Sequence, residues 1–164
     1  MANFQLTAQS NVALYRKAAS VFTFLVLLPC LLSLINITFA QSWKLHFFPA
    51  AIILAAVFYG VSGGVAAGIS GSLYTALFLG NPYVIAGNVL FGLLTALFYK
   101  KSENIILSVL LAYACQLPWL ILTDYYFVNL PLDFIAKLVF VLLLANILWA
   151  ALISISIKHI RKLF

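Results

Sequence analysis

Long apolar runs broken by short polar stretches set the pattern of this chain. Six such runs can be marked. They lie at about 20–40 (SVFTFLVLLPCLLSLINITFA), 47–60 (FFPAAIILAAVFYG), 64–79, 83–99 (YVIAGNVLFGLLTALFY), 104–124 (NIILSVLLAYACQLPWLILTD) and 134–157 (FIAKLVFVLLLANILWAALISISI). None shows the strict apolar–polar alternation of a half-buried strand, so each predicts a helix. A helix needs ~20 apolar residues to cross a bilayer core. The second and third runs are short by that measure and are expected to be sheltered by neighbours.

Composition turns these helices into membrane spans. Of 164 residues, 66% are hydrophobic and 7% charged, and mean hydropathy is +1.16. Twelve charged side chains cannot cover a water-soluble domain of this length, so the expected class is an all-α integral membrane protein with six transmembrane helices. The expected organisation is a polar N-terminal segment, 1–19, suited to an interfacial helix, then a helical domain over 20–157 and a basic tail over 158–164. Segment 1–19 precedes a full-length run instead of a short one, so no cleavable signal is expected. With the last span ending near 157, no kinase or cyclase output domain is expected either.

The net charge of +6 reads as topology, not as nucleic-acid binding. With the N-terminus in the cytoplasm and six spans, Arg16, Lys17, Lys100, Lys101, Lys158, Arg161 and Lys162 all fall on the cytoplasmic side. Only Lys44 and Lys137 fall outside. That distribution obeys the positive-inside rule and predicts a cytoplasmic C-terminus; the expected location is the plasma membrane. It also requires a reversal between the second and third runs. If those runs formed one helix, Lys100 and Lys101 would face outward with the C-terminal cluster.

The outer ends collect polar and aromatic groups. The first outer loop, QSWKLHFFP, holds Trp43, Lys44 and His46. The next, GNPY, holds Asn81 and Tyr83, with Asn88 about a turn below. The fifth run leaves through Trp119, Asp124, Tyr125 and Tyr126. The connection to the sixth adds Asn129 and Asp133, with Lys137 a turn in. One reading is a shallow outward-facing pocket for a small molecule, in which rings stack and Asn, Asp and Lys orient polar edges. The other is an interfacial aromatic belt. Lys137 either serves the pocket or pairs with Asp133 four residues earlier. Asn88 and Asn146 are intramembrane amides that need partners, in a site or as bonds between helices. Pro118 is expected to kink the fifth helix near the pocket. No nucleophile–base arrangement, carboxylate pair or second ligand for His46 appears, so neither enzymatic activity, nor a bound metal, nor a cofactor is expected. Cys30 and Cys115 read as small apolar residues.

The glycines of VFYGVSGGVAAGISGSLYTALF form two rows. Gly60, Gly64, Gly68 and Ser72 recur every fourth residue, and Gly63, Ala67 and Gly71 run parallel to them. This spacing lets helix backbones approach closely, and GVSGG suits the required tight turn. Gly60, Gly64, Gly68 and Gly71, with Asn146, are therefore assigned to helix packing. A phosphate-binding loop is excluded because the Lys-Ser/Thr it needs is missing.

The stretch FFPAAIILAAVFYGVSGGVAAGISGSLYTALFLGNPYVIAGNVLFGLLTALFYKK resembles the substrate-binding (S) components of energy-coupling factor (ECF) transporters, and DYYFVNLPLDFIAKLVFVLLLANILWAALI fits their last helices. The resemblance covers about residues 20–160. It implies a six-helix protein, both termini inside, that captures a vitamin, cofactor precursor or nucleobase-like micronutrient at its outer face. It also implies partners: ATPase subunits and a scaffold transmembrane subunit. The family's pocket uses the first outer loop and the outer halves of helices four to six. Trp43, Lys44, His46, Asn81, Asn88, Trp119, Asp124, Tyr125 and Lys137 fall in those places. One departure is that span one has no Ala-x-x-x-Ala docking motif. Two other readings share the span pattern: a ligand-sensing membrane module acting with a separate signalling partner, and a structural membrane protein of the MreD rod-shape type.

Overall fold

The computed structural model describes residues 14–15, 18–39 and 43–160; the side chains of Asn36, Thr38, Phe39, Trp43, Lys44, Lys158 and Ile160 are not described. Five helices and one small hairpin are seen among them. Helix α1 spans Ala18–Leu34. Strands β1 (Asn36–Phe39) and β2 (Trp43–His46) pair antiparallel, Asn36 opposite His46 and Phe39 opposite Trp43. Helix α2 is Phe48–Leu79, α3 is Tyr83–Ser102, α4 is Ile105–Phe127 and α5 is Leu132–Ile160. The last four helices are each long and apolar enough to cross a membrane. Most of the expected segment 1–19, including Arg16 and Lys17, lies outside the described residues, as do Arg161 and Lys162.

The apolar runs thus become helices, with one correction. The first run was expected to stay helical to about residue 40, but α1 stops at Leu34 and the chain enters the hairpin. The β-branched residues of NITF and the aromatic and apolar residues of WKLH favour extended backbone.

Within α1, Pro29 has no N–H to give, so it cannot bond the carbonyl four residues back, that of Leu25. The turn before it widens into a π-turn, Thr23–Leu27. The Leu25 carbonyl instead accepts from Ser70 Oγ at 2.7 Å, and Cys30 Sγ donates to the Ser70 carbonyl at 3.1 Å. The strained segment is thereby fastened to α2.

Helix α2 is one element only by its hydrogen bonding. Gly60 takes φ 66° and ψ −150°, and the chain folds back there. A Cβ on Gly71 would lie 3.6 Å from the Phe48 Cβ. In a straight helix those residues, twenty-three apart, would be separated by ~34 Å. A Cβ on Gly63 would likewise meet the Ala55 carbonyl oxygen. The two arms, 48–59 and 61–79, are therefore antiparallel neighbours. The required reversal exists, and it takes one residue where the GVSGG turn was expected.

The second arm then crosses α3 through glycines. A Cβ on Gly64 would collide with the backbone of Gly92, and the converse holds; one on Gly68 would stand 2.7 Å from the Asn88 carbonyl oxygen. Gly71 faces the other way, toward Pro29 and Phe48. So Gly64, Gly68 and Gly71 do allow close packing, whereas Gly60 has nothing within 4 Å and serves the bend. Around this crossing, Ile52, Ile53, Ala67, Val109, Ala112 and Ala150 are buried.

Candidate functional site

The interface of α3 with α4 carries a polar seam through this apolar core. Its inner part is a run of amides and a hydroxyl. Gln116 Nε2 on α4 donates to Asn88 Oδ1 on α3 at 3.5 Å, and Asn88 Nδ2 donates to Ser72 Oγ on α2 at 2.8 Å. Ser72 Oγ donates in turn to the Gly68 carbonyl within its own helix. All three side chains are buried. Gly87 makes the approach possible, because a Cβ there would stand 3.3 Å from both Gln116 Nε2 and Trp119 Cδ1. Each donor finds an acceptor, which offsets the cost of burying amides away from water.

The seam's outer part lies at the Tyr83 end of α3, the end away from Lys100 and Lys101. Gly80 closes α2 in the left-handed conformation and sets Asn81 at the mouth of the interface. Asn81 Oδ1 accepts the Tyr83 backbone N–H at 3.1 Å, which fixes the amide so that its Nδ2 points away and donates to Asp124 Oδ1 at 3.2 Å. Both side chains are 6% exposed. Asp124 lies in a second π-turn, Thr123–Phe127, which continues α4. Thr123 and Asp124, within this turn, are both buried. Asn129, at φ 56°, then reverses the chain, and the Leu130 N–H bonds the Asp124 carbonyl at 2.9 Å.

Aromatic rings flank the pair. Trp119 Nε1 donates to the Tyr83 carbonyl at 3.2 Å, and the Tyr83 and Phe127 rings lie 4.9 Å apart, tilted. Among the described residues no salt bridge reaches Asp124, and no group of three or more His, Cys, Asp or Glu is placed to hold a metal. The groups gathered here are one carboxyl, one locked amide and three aromatic residues.

Five of the expected residues, Asn81, Asn88, Trp119 and Asp124 together with Tyr83, meet along this seam. The others go elsewhere. The His46 carbonyl accepts from Trp149 Nε1 at 2.9 Å, its ring neighbours Phe48, and the Phe47 ring lies tilted against Trp149 at 4.8 Å. His46 thus anchors α5 to the start of α2. Tyr125 is exposed and meets Tyr126 edge to face. Lys137 and Asp133 are both exposed and form no ion pair. Asn146 is buried on α5. The side chains of Trp43 and Lys44 lie outside the described residues.

No protein-family model matches the chain, and no curated protein or solved structure matches it.

Gln116, Ser72 and Phe127 join the site without having been singled out in the sequence. Gln116 had a readable signal: it shares a helix face with Trp119 and Thr123, at spacings of three and seven. Ser72 had none beyond its place in the small-residue row, which conceals that its hydroxyl serves Asn88. Phe127 reads as one more belt residue.

Proposed function

We propose that this chain is the substrate-binding subunit of an uptake transporter in the plasma membrane, capturing a vitamin, cofactor precursor or nucleobase-like micronutrient at its outer face. In this reading α1, the two arms of α2, α3, α4 and α5 make six crossings, with both termini in the cytoplasm. The single observation that carries it is the buried Asn81–Asp124 pair, set among Tyr83, Trp119 and Phe127. A carboxyl and an amide held in the interior of a membrane-embedded bundle mark a functional site by default. Lys100 and Lys101 at the opposite end of α3 support an outward-facing position for that pair. The ECF resemblance adds the rest: ATPase subunits and a scaffold subunit that drive release inward. The chain itself binds and carries out no chemistry.

The test is a thermal-unfolding screen of the detergent-purified protein against vitamins, cofactor precursors and nucleobases. A ligand that binds only the folded state at a hundred times its Kd adds about 2.7 kcal/mol of stability. At least one compound is expected to raise the Tm clearly. The reading fails if none does and the protein co-purifies with cell-wall elongation proteins or a signalling kinase.

A further inference from the structure

We propose that the molecule held at the Asn81–Asp124 pair is an organic cation, an aromatic or heteroaromatic ring bearing an ammonium, pyridinium or similar positive nitrogen. This rests on the capture reading above and narrows it.

Asp124 lacks a charged partner among the described residues. The residue is nearly removed from solvent, and among the described residues its one side-chain partner is the neutral Asn81 amide at 3.2 Å. The Tyr83 N–H locks that amide, so Asn81 can only donate toward Asp124 and cannot turn its oxygen there. Asp124 is accordingly an acceptor at this contact. The N-terminus of α3 close by supplies at most about half a positive charge. A desolvated carboxylate is stabilised chiefly by an opposite charge with good geometry. Among the described residues none provides it: Lys137 is exposed and unpaired, and Lys100 and Lys101 sit at the far end of α3.

A second observation is independent of that charge balance. The neighbouring residues are aromatic: Tyr83, whose N–H bonds Asn81, has its ring 4.9 Å from that of Phe127, which follows Asp124 in the same π-turn, and Trp119 Nε1 bonds the Tyr83 carbonyl. Ring faces attract cations, most of all where water is scarce. An anion would meet repulsion from both the carboxylate and the rings. A third is the backbone. The π-turn at Thr123–Phe127 exists where Asp124 is turned inward, and single π-turns inside α-helices recur at functional sites.

The experiment sorts the same thermal screen by charge and includes one matched set: 1-methylnicotinamide (cation), nicotinamide (neutral) and nicotinate (anion). Cationic members are expected to raise the Tm of the wild-type protein above their neutral and anionic counterparts. Asp124→Asn, which keeps shape and removes charge, is expected to weaken cation binding about tenfold or more. Asp124→Glu is expected to retain the preference for cations. If neutral or anionic compounds stabilise wild type and Asp124→Asn alike, the cation inference is overturned and capture stands. If no compound of any charge shifts the Tm, both fall. Should Asp124→Asn fail to fold, the charge of the compounds that stabilise the wild-type protein decides alone: cations uphold the inference, and neutral or anionic compounds overturn it.

Discussion

At Gly60 the backbone takes φ 66° and ψ −150°, and no heavy atom lies within 4 Å of where a Cβ would stand. At Gly64 the backbone is helical, and a Cβ would strike the Gly92 backbone. The same substitution therefore acts differently at the two sites. Gly60→Ala meets a conformational penalty of ~1–3 kcal/mol with no clash. Gly64→Ala must push α2 and α3 apart and is expected to cost about 1–3 kcal/mol or more from overpacking. Both variants should lower the Tm in detergent. Only Gly64→Ala should also disturb the Asn88–Ser72 bond, visible as weaker ligand binding. The sequence puts Gly60 and Gly64 in one row and inside one expected turn, GVSGG, because spacing reports which residues share a face and not which of them breaks the helix. Asp124 shows the complementary limit. Its type and its position near a helix end marked it as a candidate, but the π-turn that buries it has no signature in TDYYF, and its partner Asn81 lies forty-three residues away.

Among the elements, α1 shows how a backbone defect is repaired by another helix. Pro29 leaves the Leu25 carbonyl without its helical donor, and Ser70 supplies one. Ser70→Ala is expected to destabilise by about 1 kcal/mol. Pro29→Ala restores an N–H in reach of Leu25, so the pair of substitutions should cost less than the sum of each alone. A double-mutant cycle of thermal stabilities checks this, and strict additivity would refute the repair. Neither the hairpin β1–β2 nor this cross-link was legible in the sequence. NITF continues the apolar run of α1 and passes for its end, since periodicity cannot separate a short buried strand from a frayed helix. The bend in α2 was legible, and for a reason foreign to helix propensity: the lysines at 100 and 101 demanded it.

For the whole molecule, orientation follows from the proposed six crossings. In a background with Cys30 and Cys115 replaced, single cysteines at Ser62 and Lys100 should react with membrane-impermeant reagents only from the cytoplasmic side, and one at Asn129 only from outside. All three positions are exposed in the fold, so a failure of this pattern would count against the topology and not against access. The candidate site gathers at one end because α3 and α4 both terminate there and α2 delivers Asn81 to the same place. His46, expected in the same pocket, makes its contacts elsewhere in the fold. Trp149, in the second half of α5, reaches His46 instead, and this contact ties the start of α2 to the last helix.

The bend at Gly60 bears on how the protein is made. The arm 48–59 is about 18 Å long, well short of the ~30 Å hydrocarbon core. It cannot hold a transmembrane position by itself as it emerges from a ribosome. In the proposed six-crossing topology, with no polar linker between the arms, both are expected to enter the bilayer as a single wedge, so that insertion of the first waits on synthesis of the second.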